Sequence, residues 1–185
     1  MNRLPRLTIL PTLAALSLAI APTQAVQFPD GRTAFSGASP RLDNTTATVK
    51  TVGARNVRYY FTLTLPVGAE EPLQQLMIEQ RRGEQTVEFE LAATTAFRGD
   101  RGARGQELAL ARVEGDRRTV TVEFATPIPP GTTFTVGLRP RQNPRWGGTY
   151  LFGVTVFPAG AQPQGLFLGS GRLQFYERDR DFFFR

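Results

Sequence analysis

Hydrophobic and polar positions alternate with a period of two along much of this chain. The clearest run occupies residues 57–65, where every second side chain is apolar: Val57, Tyr59, Phe61, Leu63 and Leu65. This period is typical of a β-strand with one buried face. The same alternation recurs in three later segments: 87–91, 119–124 and 133–138. Residues 149–157 are apolar on both faces, which predicts a central strand, and a further strand is predicted within 166–176.

Turn-forming residues separate these runs. Glycine, proline and acidic residues concentrate in five places: residues 82–83, 114–116, 127–131, 147–148 and 158–163. Pro129 and Pro130 have no main-chain N–H to pair with a neighbouring strand, so this corner lies outside the sheet. Glu70 to Gln80 is compatible with a helix or with a strand. We predict one all-β domain over residues 26–176, an immunoglobulin-like sandwich of two antiparallel sheets with about seven to nine strands.

Two internal segments and the C-terminus lack this alternation. Residues 37–50 are polar and rich in threonine, and residues 96–106 have no apolar anchor after Phe97. We predict that both are irregular and that the second is mobile. Residues 177–185 alternate charges and then end in three phenylalanines and an arginine. The Phe182 to Phe184 cluster is expected either to dock into a partner groove or a membrane interface, or to fold back onto the sandwich.

The first 25 residues have the organisation of a secretory signal. Arg3 and Arg6 precede a mainly apolar stretch from Leu7 to Ala21, and small residues lead to a predicted cleavage after Ala25. A retained membrane anchor is the alternative, but this stretch contains a proline and is shorter than the roughly 20 apolar residues of a spanning helix. We expect export to the periplasm or the exterior, with no transmembrane segment in the mature chain.

Charge narrows the range of partners. The formal net charge is +6, and loss of Arg3 and Arg6 leaves +4. Lys50 is the single lysine, so the basic side chains are almost all arginines. A GC-rich genome explains this composition without any function. The functional explanation is affinity for an anionic glycan, a membrane surface or an envelope protein. Nucleic acid is not expected as a partner, because export places the chain away from it.

The residue inventory excludes most catalytic chemistry. The sequence contains neither histidine nor cysteine, which rules out Ser-His-Asp and Cys-His arrangements and zinc bound by imidazole or thiolate. No phosphate-binding glycine loop precedes a helix, and the acidic residues are interleaved with arginines instead of clustering as calcium ligands. We therefore predict no catalytic residue, no metal site and no cofactor.

One segment combines arginines with the single tryptophan. Arg139, Arg141, Arg145 and Trp146 surround the sequence Gln-Asn-Pro. Guanidinium groups beside an exposed indole have the chemistry to bind a carboxylate, a phosphate or the face of a sugar. The alternative is a strand exit at which the tryptophan caps the core and the arginines are merely solvated. We favour the alternative, because most solitary tryptophans are largely buried.

A second arginine group lies in the Gly/Arg segment. Arg98, Arg101 and Arg104 have the spacing of a flexible clamp for an anionic ligand. Residues 98–100 also form the tripeptide Arg-Gly-Asp of cell-adhesion proteins. We attribute that match to chance in a chain so rich in arginine and glycine.

The leading functional hypothesis is a non-catalytic binding or structural module of the bacterial cell envelope. The chief alternative is a carbohydrate hydrolase that uses two carboxylates facing each other across a cleft. Its candidates are the glutamates of the predicted strands and loops: Glu70, Glu71, Glu88, Glu90, Glu107 and Glu123. A third hypothesis is assembly or adhesion by strand exchange, in which a free sheet edge accepts a segment of another chain.

Several motifs together resemble a known family. They are, in chain order, Tyr59 to Pro66, Glu71 to Gln74, Pro129 to Thr132, Gly137 to Pro140, Asn143-Pro144, Gly147 to Val154 and Phe157 to Gly160. In this order they resemble DUF2808, a family of exported cyanobacterial proteins of unknown function, over about residues 28–176. The resemblance implies an envelope or secreted setting and supplies no activity, ligand or catalytic residue. Physically these motifs are typical of scaffold, and we expect Gly153 to allow a close approach between the two sheets.

Overall fold

The computed structural model describes residues 31–177. Within this range the chain forms nine β-strands: β1 (Arg41–Ala47), β2 (Tyr59–Leu65), β3 (Leu73–Arg82), β4 (Thr95–Arg98), β5 (Leu110–Gly115), β6 (Thr119–Ile128), β7 (Thr132–Leu138), β8 (Gly148–Pro158) and β9 (Leu166–Phe175). One 3-10 turn, Leu91–Ala93, precedes β4. The segments predicted to form the export signal and the Phe-rich tail lie outside the described residues.

The strands form two sheets, and every strand pair is antiparallel. The four-stranded sheet has the order β1-β2-β7-β4, and the five-stranded sheet has the order β5-β6-β3-β8-β9. The chain changes sheets five times: between β2 and β3, β3 and β4, β4 and β5, β6 and β7, and β7 and β8. The predicted two-sheet antiparallel sandwich is therefore confirmed, and its immunoglobulin-like class with it.

The inward faces of the sheets bury an aromatic core. The rings of Phe124 on β6 and Phe134 on β7 meet across the two sheets, with centroids 5.5 Å apart and planes at 86°. Tyr59 on β2 packs edge-on against Phe152 on β8, with centroids 5.9 Å apart. All four side chains have no exposed surface. Edge-to-face pairs of this kind add about 0.5–1.5 kcal/mol each to the stabilisation from area burial.

The sequence predictions miss three strands. β1 lies in the threonine-rich segment predicted to be irregular, β4 overlaps the start of the Gly/Arg segment, and β5 precedes a turn. Each is the outermost strand of its sheet, so few of its side chains need to be apolar. The strand predicted at residues 87–91 is wrong in extent. There the chain makes a single bridge between Phe89 and Pro140 and then turns.

Two other predictions are settled by the central strands. Residues 73–82 form β3, so the segment that was compatible with a helix is a strand. The expected role of Gly153 is wrong, because a Cβ there would meet Arg81 Nε at 2.5 Å on the outer face of the sheet. The close approach between sheets occurs instead at Gly171 on β9, where a Cβ would lie 2.7 Å from the Cβ of Thr45 on β1.

Among residues 31–177, no helix has the length and apolar character needed to cross a bilayer.

Candidate functional site

The antiparallel order brings four separate segments to one end of the sandwich. Residues 48–58 join β1 to β2, residues 83–90 follow β3, residues 139–147 join β7 to β8, and residues 176–177 follow β9. We call these four segments the loop end. Because β2 begins where β7 ends and β8 begins where β9 ends, the segments share one edge of the core. The predicted contact residues Arg139, Arg141, Arg145 and Trp146 all lie in the loop end.

Main-chain hydrogen bonds tie the four segments together. The N–H of Val52 donates to the carbonyl of Tyr176 at 3.0 Å, and the N–H of Tyr176 donates to the carbonyl of Lys50 at 2.9 Å. The N–H of Gly53 donates to the carbonyl of Pro144 at 2.9 Å. These bonds satisfy loop backbone groups that would otherwise need water. Side chains on different loops are consequently held at fixed relative positions.

A buried asparagine joins the loops to the core. Asn143 has no exposed surface, and its Oδ1 accepts a hydrogen bond of 2.8 Å from the hydroxyl of Tyr59. Its Nδ2 donates to the carbonyls of Val49 and Thr51 at 3.0 and 2.8 Å. Its main-chain N–H donates to the carbonyl of Ala54 at 2.8 Å. All the donor and acceptor groups of this side chain are therefore used inside the fold.

Two buried phenols support the same region. Burial raises the pKa of Tyr59 above its ordinary value, and the nearby Tyr150 adds a smaller contribution in the same direction. Burial also raises the pKa of Tyr150, whose hydroxyl donates to the carbonyl of Trp146 at 3.1 Å. Both phenols are thus protonated donors near neutral pH, and their bonds position Asn143 and the backbone of Trp146.

Trp146 does not cap the core. Its side chain is 62% exposed, so the favoured interpretation of a buried tryptophan is wrong. The backbone on both sides of the ring is fixed, since Gly147 N–H donates to Glu177 Oε1 at 2.9 Å and the hydroxyl of Tyr150 donates to the carbonyl of Trp146. Tyr150, four residues later, is the aromatic side chain that is buried in the core.

The three arginines of this segment differ in their partners. Arg139 Nε lies 3.3 Å from Glu90 Oε2, and Arg141 Nε lies 3.8 Å from Glu88 Oε2. These are exposed pairs, and pairs of this type contribute little to stability. Arg145 is exposed and forms no ion pair with any residue in the range 31–177. It is the arginine of this segment whose guanidinium is available to an external anion.

A cavity of about 280 Å³ lies beside Arg145. Its lining is mostly polar and comes from two loops: Gln85, Thr86, Val87, Glu88, Arg141, Gln142, Pro144 and Arg145. Gln85 Oε1 accepts a hydrogen bond of 2.8 Å from the main-chain N–H of Arg145, which fixes one wall against the other. The cavity is therefore lined by two guanidinium groups, two side-chain amides and the carboxylate of Glu88, which pairs with Arg141. Trp146 stands next to it in the chain and is not part of the lining.

The second predicted arginine group lies elsewhere. Arg98 ends β4, and the segment after it folds over the outer face of the four-stranded sheet. The guanidinium of Arg101 lies 5.7 Å from the ring centroid of Tyr60, and that of Arg104 lies 4.6 Å from the ring centroid of Phe97. Asp100 Oδ1 accepts bonds from two main-chain N–H groups. Cation–π contacts and a side-chain turn therefore anchor this segment, and its mobility stays a prediction.

The candidate carboxylates do not face each other across a cleft. Ser36 Oγ donates to Glu70 Oε2 at 2.8 Å and to Glu71 Oε1 at 2.7 Å, and Glu71 is fully buried, so no substrate reaches it. Glu88 and Glu90 lie side by side against arginines of the loop end. Of the remaining two, Glu107 pairs with Arg104 and Glu123 lies on the outer face of β6 beside Arg112. The geometry thus lends no support to the two-carboxylate hydrolase.

No group of three or more acidic side chains is placed to hold a metal ion among residues 31–177. Glu88 and Glu90 of the loop end pair with arginines, and Glu177 accepts a hydrogen bond from the main-chain N–H of Gly147.

Sequence reasoning missed three features of the loop end. Asn143 looked like part of a turn, and only the strand register places it beneath residues 48–58. Val49 and Tyr176 are 40% and 57% exposed, and both lie outside the segment singled out for Trp146. The one sequence signal for this role of Asn143 was the Asn143-Pro144 motif. The arginines on both sides already keep this segment solvated, so an asparagine between them is not needed for that purpose.

The chain matches a known protein family. A family model described as "Protein of unknown function (DUF2808)" matches residues 32–175, which confirms the resemblance carried by the sequence motifs. No curated protein matches the sequence.

Solved structures with a similar sandwich include BslA, described as a bacterial hydrophobin. It has a TM-score of 0.51 and 16% identity, and the match covers 78% of this chain and 98% of that one. The N-terminal domain of the Streptococcus gordonii adhesin Sgo0707 has a TM-score of 0.46 and 14% identity, over 74% of this chain and 32% of that one. The collagen-binding domain of a Staphylococcus aureus adhesin has a TM-score of 0.37 and 9% identity, over 72% and 97%. The likeness to BslA shows a shared fold.

Proposed function

This chain belongs to the DUF2808 family of proteins of unknown function, and we propose that it is a non-catalytic binding module of the bacterial cell envelope. Its contact surface is the loop end, and its partner is anionic. The envelope setting rests on the export signal predicted for residues 1–25. The non-catalytic part is supported by a sequence without histidine or cysteine and by carboxylates that are engaged with arginines or buried.

One observation carries the proposal: an exposed indole stands beside an arginine without an ion pair, on a rigid platform. Trp146 is 62% exposed, although burial of so large a ring would stabilise the fold by about 1.5–3 kcal/mol or more. The folded chain lacks this stabilisation. Hydrogen bonds nevertheless fix the backbone of Trp146 through Tyr150 and that of Arg145 through Gln85. Tryptophan and arginine are the residues most enriched among the energetic centres of binding surfaces.

The loops need little further ordering when a partner binds. Asn143 already joins residues 48–58 to residues 139–147, because its Nδ2 donates to the carbonyls of Val49 and Thr51. Its Oδ1 also accepts a hydrogen bond from the hydroxyl of Tyr59 on β2. A surface that is ordered before binding avoids the side-chain and loop entropy that association otherwise costs. The charge of the neighbouring side chains favours an anion, since Lys50, Arg55 and Arg145 are all exposed.

Co-sedimentation with fragments of a bacterial cell envelope tests this proposal. We expect the wild-type protein to sediment with the fragments at low salt and to be released as salt increases, since exposed charges are then screened. The double substitution Trp146→Ala with Arg145→Gln should lower binding at least tenfold. Arg172→Gln is the matched control, because Arg172 is an exposed arginine of β9 outside the loop end. Equal binding of the double variant and the wild type would refute the proposal.

A further inference from the structure

Three of the five large apolar side chains that the described part of the chain exposes lie at the loop end. They are Val49, Trp146 and Tyr176, with 40%, 62% and 57% of their surface exposed. The other two differ in place and surroundings. Val67 lies at the opposite end of the sandwich, and Phe167 lies under the guanidinium of Arg81, 4.2 Å from its ring centroid. The loop end therefore concentrates exposed apolar surface that is otherwise scattered.

These three side chains project from three separate segments. Val49 belongs to residues 48–58, Trp146 to residues 139–147, and Tyr176 follows β9. The hydrogen bonds among Lys50, Val52, Tyr176, Gly53 and Pro144 fix the three segments relative to one another. Apolar side chains on three loops at one end of the sandwich contact a flat partner more readily than a narrow chain lying in a groove.

Exposed basic side chains lie in the same segments as Val49 and Trp146. Lys50, Arg55 and Arg145 are exposed and form no ion pair within residues 31–177. Across the four segments of the loop end, six basic residues stand against four acidic ones. Apolar and aromatic side chains together with these basic residues complement the surface of an anionic bilayer. Trp and Tyr rings lie there at the level of the headgroups, and each nearby Lys or Arg adds about 1 kcal/mol to the binding free energy.

An acidic glycan fits the same end less well. Sugar rings stack on aromatic faces, to which Val49 contributes nothing. The cavity beside Arg145 has the polar lining that a sugar would need, yet Trp146 is not among its lining residues. An anionic lipid surface can contact all three apolar side chains and the exposed basic side chains at the same time.

We propose that the loop end docks onto an anionic lipid surface, with Trp146 entering the headgroup region and Val49 and Tyr176 beside it. This inference rests on the proposed binding function of the same end and assigns it a partner. The depth is that of an interfacial contact, since the apolar side chains belong to loops and do not form a spanning segment.

The single tryptophan of the chain makes the test direct, because its emission reports on this surface alone. The full mature chain is titrated with vesicles of phosphatidylcholine containing phosphatidylglycerol, and with vesicles of phosphatidylcholine only. With the anionic vesicles we expect the emission of Trp146 to shift to the blue and to be quenched by brominated acyl chains. With the neutral vesicles we expect partitioning to be weaker by at least tenfold.

Matched substitutions locate the contact. Val49→Ala should weaken partitioning about threefold, since it removes two partly inserted methyl groups. Val67→Ala is the same substitution at a more exposed position of the opposite end, and it should leave partitioning unchanged. Arg145→Gln should weaken binding to the anionic vesicles about fivefold, as expected for one basic residue near the surface.

The outcomes separate this inference from the function on which it rests. An emission of Trp146 that anionic vesicles leave unchanged, but that an acidic polysaccharide alters, overturns the lipid inference and leaves the binding function intact. Failure of vesicles, polysaccharide and envelope fragments alike overturns both. Equal effects of Val49→Ala and Val67→Ala would also overturn the lipid inference, because they would show partitioning without use of the loop end.

Discussion

The hydroxyl of Tyr59 donates a hydrogen bond of 2.8 Å to Oδ1 of Asn143, a residue 84 positions later in the chain. Both side chains have no exposed surface. Tyr59 opens β2 and belongs to the aromatic core, whereas Asn143 belongs to the loop between β7 and β8. This one contact connects the packing of the two sheets to the shape of the loop end.

Truncation of Asn143 tests this connection. Asn143→Ala leaves the Tyr59 hydroxyl and the carbonyls of Val49 and Thr51 buried without a partner, so we expect the free energy of unfolding to fall by about 2–4 kcal/mol. Tyr59→Phe removes a single neutral hydrogen bond and should cost only about 1 kcal/mol. Urea denaturation followed by circular dichroism measures both. Equal losses for the two variants would show that Asn143 does not hold the loop.

The raised pKa of Tyr59 predicts a loss of stability at alkaline pH. Above the ordinary tyrosine pKa of about 10, the unfolded chain releases the phenol proton while the folded protein keeps it. The free energy of unfolding therefore falls as pH rises from that point towards the folded-state pKa. Tyr150, whose pKa is also raised by burial, acts in the same direction.

Urea denaturation at a series of alkaline pH values measures the effect. Tyr59→Phe should flatten the decline without abolishing it, because Tyr150 remains. A wild type whose stability is constant from about pH 9 to about pH 11 would contradict the burial of these phenols.

Two glycines distinguish packing within the sandwich from packing on its surface. A Cβ at Gly171 would lie 2.7 Å from the Cβ of Thr45, so the two strands would have to move apart. We expect Gly171→Ala to cost about 1–3 kcal/mol. A Cβ at Gly153 would meet the flexible end of Arg81, which can swing away. Gly153→Ala should therefore cost less than about 1 kcal/mol, and thermal denaturation of the pair checks the order. A larger loss for Gly153→Ala would contradict the packing described here.

Asp100 predicts the protease sensitivity of the Gly/Arg segment. Its Oδ1 accepts hydrogen bonds of 2.7 Å from the N–H groups of Gly102 and Ala103. Asp100→Ala should open this turn and speed tryptic cleavage after Arg101 or Arg104. Mass spectrometry of the products measures the rate. Asp100→Asn keeps an acceptor oxygen and should be cleaved at nearly the wild-type rate. Fast cleavage of the wild type at these arginines would favour the original expectation of a mobile loop.

The sequence predicted the sandwich because its central strands carry the pattern that burial requires. Phe61, Phe134 and Phe152 stand at alternating positions, and each faces the other sheet. β1 escaped prediction because its inward side chains include Thr45, which packs against Gly171 and needs no large apolar group. An edge strand is specified by its neighbour more than by its own residues.

The candidate site was only half predictable. The residues Arg145 and Trp146 stood out by type, but the bonds that fix their backbone come from Gln85 and Tyr150, which nothing in the sequence pattern singles out. Val49 and Tyr176 join them only through strand register, since the main-chain bridge between Thr51 and Tyr176 brings residues 125 positions apart together. Long-range pairing of this kind leaves no periodic signal in the chain.

Hydrogen–deuterium exchange tests most directly whether the loop end is the binding surface. The mature protein is exchanged alone and when bound to envelope fragments, and the protected peptides are identified by mass spectrometry. The proposed function predicts that protection is confined to residues 48–58, 83–90, 139–147 and 176–177. Protection of residues 66–72 and 129–131 at the opposite end, with the loop end exchanging as in the free protein, would contradict it.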